Sequence, residues 1–176
     1  VLETGKYHFG DELFGPQGLD PAALHSLTHS HTPISNILSC STVLSIGCDM
    51  FDEAPPLGLR LDVAARRGHL KLLSARSHLS DNDWWCAQAA TYAYGDQLRF
   101  IRGLTNALTG QGEVPDEAKP LVDHLKSIGE DLAIIYGQEI WSAPNPAELI
   151  RALEALRHAV TKANPGAEGV YLCPVY

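Results

Sequence analysis

Apolar positions along this chain fall into two kinds of run, and their spacing predicts strands alternating with helices. Thr42 to Ile46 is a short, partly β-branched apolar run closed by Gly47, which suits a buried strand entering a turn. The turn is rich in acids. Pro55 and Pro56 then suit the first turn of a helix, where a missing N–H would have no intrahelical partner, and Asp52 and Glu53 stand where the helix dipole favours negative charge. In that helix Leu57, Leu61 and Ala64 or Ala65 recur at helical spacing, Arg66 and Arg67 fill the last turn, and Gly68 is the stop. Leu70 to Leu73 supplies another strand. Two buried strands joined by such a helix predict a right-handed βαβ crossover in a parallel sheet.

The same alternation returns further along. Leu98, Ile101, Leu104 and Leu108 make one apolar stripe on a helix that starts at Asp96 and closes at Gly110. A polar link, Gln111 to Val114, leads to a helix starting at Asp116, with Leu121, Leu125 and Ile128 inward and Gly129 as its stop. Asp131 to Gly137 repeats the opening pattern of a brief apolar strand ending on glycine. After a loop, Asn145-Pro146-Ala147-Glu148 reads as a cap, a first-position proline and a glutamate placed to reach back; Leu149, Leu153, Leu156 and Val160 then share a face until Asn164-Pro165-Gly166. Gly169 to Cys173 is the last strand. Two βαβ units linked by helices predict an α/β fold with a doubly wound, mostly parallel, Rossmann-like sheet over residues 41–176.

Residues 1–40 read as a lead-in of loops and short helices. Glycines and a proline punctuate Val1 to Asp20, a short helix runs from Asp20 towards His29, and a second spans Pro33 to Leu38. Between Arg76 and Gln97 no helical period is visible. That segment reads as irregular structure with one short strand around Trp85.

Composition narrows the function classes. The 176 residues carry 13 basic and 21 acidic side chains for a formal charge of −8, and no basic cluster exceeds Arg66-Arg67, which argues against a nucleic-acid partner. No apolar run approaches the roughly 20 residues of a membrane helix, so direct membrane insertion is not expected. Cys40, Cys48, Cys86 and Cys173 are widely spaced without a CxxC pattern and read as reduced thiols of a cytoplasmic protein. His25 and His29 would share a helix face near His31, yet nothing nearby completes a zinc site.

Ligands of doubly wound sheets bind beyond the carboxyl ends of strands, so Gly47-Cys48-Asp49 and Gly137-Gln138 are the places to look. Neither turn has the glycine-rich phosphate pattern. Asp49, Asp52 and Glu53 crowd the first helix start, where they would repel phosphate, so the turn reads as structural before it reads as a nucleotide pocket. Asp81, Asp83, Trp84 and Trp85 suit a pocket wall or a subunit contact equally well.

From Gly47 to Leu61 the sequence GCDMFDEAPPLGLRL resembles the molybdopterin-oxidoreductase family, in which a strand ends on a Gly-x-Asn-Pro type of turn followed by an acid and a proline opening a helix. Within that family it is most similar to the large iron–sulfur (G) subunit of respiratory complex I, through Glu53-Ala54-Pro55 and Arg60; residues 118–140 and 169–176 add to the likeness. The resemblance implies a structural part of NADH–quinone oxidoreductase, partnered by other peripheral-arm subunits and reaching the inner membrane on its cytoplasmic side through them. It also implies a piece of a longer polypeptide whose iron–sulfur clusters lie in an absent N-terminal part, with no cofactor of its own. Asp49-Met50 replaces the usual Asn-Pro, and Ser74-Ala75-Arg76 replaces an Asp-Pro-Arg strand ending. The alternative is the pterin-nucleotide-binding domain of a molybdopterin oxidoreductase such as a formate dehydrogenase, with Gly47, Asp49 and Arg76 as its cofactor-binding residues.

Overall fold

The computed structural model describes residues 32–80, 83–167 and 169–175. Strands β1 (Thr42–Ile46), β2 (Lys71–Arg76), β3 (Gln88–Thr91), β4 (Leu132–Tyr136) and β5 (Val170–Pro174) form one all-parallel sheet in the order β3-β2-β1-β4-β5. The fold is doubly wound α/β. From β1 the chain moves outward through β2 to β3, then returns to lay β4 against the other side of β1. The register aligns the strands' carboxyl ends, with Ile46 beside both Ala75 and Tyr136, and Tyr136 beside Pro174. Buried on both faces, β1 and β4 read as unbroken apolar runs instead of alternating ones.

Helices cover both faces. On one side α1 (Ile34–Ser39) and α3 (Pro55–Arg66) pack through Ile37, Leu57 and Leu61 against Val43, Leu72, Ala133 and Ile135. The other side holds α4 (Gln97–Thr109), α5 (Lys119–Lys126) and α7 (Pro146–Ala163), whose Ile101, Leu104, Leu121, Leu153 and Leu156 meet Leu44, Leu73 and Ile134. Neighbouring strand residues therefore serve opposite cores, as the two-residue period of a strand requires.

Local differences from the sequence reading have physical causes. The acid-rich turn is itself a helical turn, α2 (Met50–Glu53), because the Asp49 side chain accepts from Phe51 N at 3.1 Å and caps it. The loop after β4 holds another four-residue helix, α6 (Gln138–Trp141). Around Trp85 there is no strand but a 3₁₀ turn, Asp83–Trp85, and the strand comes later as β3. Asn145 makes no side-chain cap, and Glu148 does not reach back to it, because Arg102 of α4 holds Glu148 at 2.8 Å. Asp96 likewise caps only through its backbone carbonyl, which accepts from Phe100 N. The expected helix around His25 and the histidines themselves lie outside the described residues.

Candidate functional site

Between β1 and β4 the chain reverses its direction of winding, and the crevice beyond their carboxyl ends is where this fold class places ligands. Here the protein's own side chains close it. Gly47 leaves β1 with φ +59°, and its carbonyl accepts from Glu139 N at 3.0 Å. Glu53 reaches across from α2, accepting from Asp49 N at 2.7 Å through Oε1 and from Gln138 N at 2.6 Å through Oε2. A single carboxylate thus staples the β1 and β4 loops together. Its partial burial raises the Glu53 pKa above the ordinary value, against the lowering effect of the two backbone donors. The fit is close: a Cβ at Gly137 would run into Glu53 and Cys48.

Arg76, the last residue of β2, forms the second part of the site. Its Nη1 donates to Asp49 Oδ2 at 2.5 Å and its Nη2 to Asp83 Oδ1, and the side chains of Arg76, Asp49 and Asp83 are only 6%, 15% and 9% exposed. Burial works against the guanidinium charge, but the two carboxylates outweigh it and hold the Arg76 pKa above its ordinary value. Asp83 also accepts from Ser80 N at 2.8 Å, so the pair fastens the segment after β2 to the start of α2.

Glu139 of α6 is the third part. It accepts from Ser77 N at 3.1 Å, Ser77 Oγ at 2.7 Å and Tyr92 OH at 2.8 Å, while His78 Nδ1 stands 3.6 Å away. Serine, histidine and glutamate in one cluster invite a nucleophile reading, and the geometry rejects it. Ser77 gives its proton directly to the carboxylate, and the same His78 nitrogen faces both groups, so no imidazole bridges serine to acid. Tyr92 is a poor acid, since burial and the adjacent Glu139 raise its pKa.

The three residues singled out from sequence do come together at this end of the sheet. Asp49 and Arg76 bond to each other, and Gly47 packs against Glu139, Tyr92 and Ile140, where an added Cβ would lie 2.9 Å from Glu139 Cβ. A phosphate entering the crevice would meet the carboxylates of Asp49, Glu53 and Glu139, and the Arg76 guanidinium there is already engaged by Asp49 and Asp83. Asp83 is part of the cluster, and Trp84 is not: it is exposed and stacks on Trp85, whose ring lies under Arg66. Sequence reasoning missed Ser77, Tyr92 and Glu139 as members. No local pattern points to those three; the one signal concerned the clasp itself, because an arginine ending an apolar strand needs carboxylate partners, and Asp49 and Asp83 are among the acids near it in the chain.

Elsewhere, an open groove of about 600 Å³ runs along the outside of α4 and α7, lined in part by Arg102, Asn145, Glu148 and Arg151; no member of the cluster lines it. Among the described residues no group of three or more His, Cys, Asp and Glu side chains is placed to hold a metal. No described helix is long and apolar enough to cross a membrane.

No family model matches the chain, and no curated protein matches it. Among solved structures it is similar to a chain of the formyltransferase/hydrolase complex from Methylorubrum extorquens, determined in complex with methylofuran, with a TM-score of 0.63 at 14% identity. The match covers 88% of this chain and 43% of that one, so this chain spans less than half the length of its neighbour. At that identity the likeness is one of fold.

The comparison overturns the family drawn from the sequence resemblance. It returns a different multi-subunit enzyme, neither complex I nor a formate-dehydrogenase type of molybdopterin oxidoreductase, and the NADH dehydrogenase role and peripheral-arm partners fall with that assignment. The physical reason lies in what carried the resemblance. A strand ending on glycine, an acid, and a proline opening a helix are what doubly wound turns demand, and Glu53 is spent on stapling two loops.

Proposed function

We propose that this chain is an α/β scaffold unit of a multi-subunit enzyme of the formyltransferase/hydrolase class, carrying out no reaction and holding no cofactor at its own switch point. One observation carries the reading: Glu53 and Glu139 occupy the crevice in which this fold class binds ligands, Glu53 accepting from Gln138 N of the β4 loop and Glu139 from Ser77 N of the segment after β2. The formyl-transfer setting is supported by the structural neighbour alone. Residues 41–176 are proposed as one domain of a longer polypeptide, which the neighbour's greater length supports. A cytoplasmic setting, with any membrane contact made through partner subunits, fits four cysteines that are all unpaired.

The test is affinity purification of the full-length protein from its native host, followed by identification of the accompanying subunits and assay of formyl transfer and formyl hydrolysis. The expected result is co-purification with subunits that carry the activity, none of it belonging to this chain alone. A protein that purifies by itself and turns over a formyl donor would sink the proposal.

A further inference from the structure

Behind the Arg76 clasp lies a small cavity against β1 and β2, with room for about 10 Å³ of water-sized contents. Ser45, Ser74, Cys48, Cys86 and Arg76 contribute to its wall. Two of the three guanidinium nitrogens are engaged with Asp49 and Asp83, whereas the buried Nε–H has no acceptor among the described residues. An unmet donor on a side chain only 6% exposed is costly, the more so on a charged group. The opposite wall supplies acceptors. Ser45 Oγ spends its proton on the Cys48 carbonyl at 3.0 Å, which leaves its lone pairs available, and the Ser74 hydroxyl on the same wall carries lone pairs too.

From this we propose that the cavity is a built site for one internal water molecule, which accepts from Arg76 Nε–H and donates to the hydroxyl oxygens of Ser45 and Ser74. The volume matches. A single water needs about 10–15 Å³ of such space and two to four polar partners, and Arg76, Ser45 and Ser74 supply three, with the Asp49 carboxylate, already engaged by Arg76 and Phe51 N, also on the wall. That space suits a neutral, water-sized molecule that both donates and accepts. The two thiols add little competition, because burial raises both pKa values, Cys86 to about 12, and keeps them protonated and weakly polar. The site deepens the scaffold reading by making the clasp a hydrated structural joint, and it stands whether or not the partner subunits are those proposed above.

Two measurements on the unmodified full-length protein test it. A crystal structure at about 1.6 Å or better should show one discrete peak within hydrogen-bond distance of Arg76 Nε and of at least one of the two serine oxygens. Water-selective NMR should show a slowly exchanging Arg76 Nε–H proton with a cross-relaxation peak to a long-lived water. An empty cavity, a protein acceptor on Nε, or a rapidly exchanging Nε–H would overturn the proposal. None of these outcomes bears on which subunits co-purify, so the two readings fail separately.

Discussion

Replacing Arg76 by methionine keeps the length and apolar body of the side chain and deletes its charge. Asp49 and Asp83 would then face each other across the vacated guanidinium, with side chains only 15% and 9% exposed. Removing one partner of a buried ion pair costs about 3–5 kcal/mol, chiefly because the charge left behind stays desolvated. At 1.4 kcal/mol per tenfold, that range is about a hundred- to several-thousand-fold in the folding equilibrium. For a chain of this size it corresponds to a fall of about 6–20 °C in Tm, at about 2–4 °C per kcal/mol. Urea unfolding followed by circular dichroism at pH 7 measures it directly. The companion variant Arg76→Met with Asp49→Asn and Asp83→Asn should recover most of the loss. It removes the stranded charges, and asparagine retains both the cap on Phe51 N and an acceptor for Ser80 N. If the single variant lost less than about 0.5 kcal/mol, the three groups would be behaving as a solvated surface cluster, and the clasp argument would be wrong.

Gly47→Ala should cost about 2–5 kcal/mol in urea unfolding, from a left-handed φ of +59° and a Cβ set 2.9 Å from Glu139 Cβ; a neutral result would mean that the β1 and β4 loops are not packed as described. Glu53→Gln tests pH linkage. The folded Glu53 pKa lies above its ordinary value of 4.5, so the native state binds more protons than the unfolded one and stability contributed at this site falls as pH rises through that region. Unfolding measured from pH 4 to 7 should therefore show a more negative slope of stability against pH for the wild type than for the variant, and equal slopes would remove Glu53 as the cause. Thiol reactivity should also follow burial. Cys40 and Cys86 are pushed up to about 12, Cys173 to about 11 and Cys48 is raised as well, so Ellman's reagent at pH 8 should label none of the four rapidly in native protein and all four in guanidinium chloride. One fast stoichiometric thiol in the native state would contradict that burial.

Much of the fold was legible because it rests on local periodicity. The apolar runs of β1 and β4 and the stripe of Ile101 and Leu104 announce their elements within a few residues, and Gly68 and Gly110, with φ of +72° and +70°, mark stops a reader can see. β3 was harder. Its residues, Gln88 to Thr91, are small or polar, and they form a strand because β2 offers them a ladder running from Leu73 to Arg76. The four-residue helices α2 and α6 are too short for any period to show.

The sequence by itself determined a parallel α/β protein, with its cores on the predicted faces and Gly47, Asp49 and Arg76 at the ends of their strands. Only the tertiary structure decided what those strand ends do. Placing β4 beside β1 brings Gln138 N onto Glu53 and the Ser77 hydroxyl onto Glu139, partners 85 and 62 residues apart in the chain. Glu148, which local spacing offered to its own helix start, goes instead to Arg102, 46 residues away. The reason is physical: helix and strand periods are written within a turn or two of chain, whereas the donor that satisfies a partly buried carboxylate is chosen by the order in which the strands assemble.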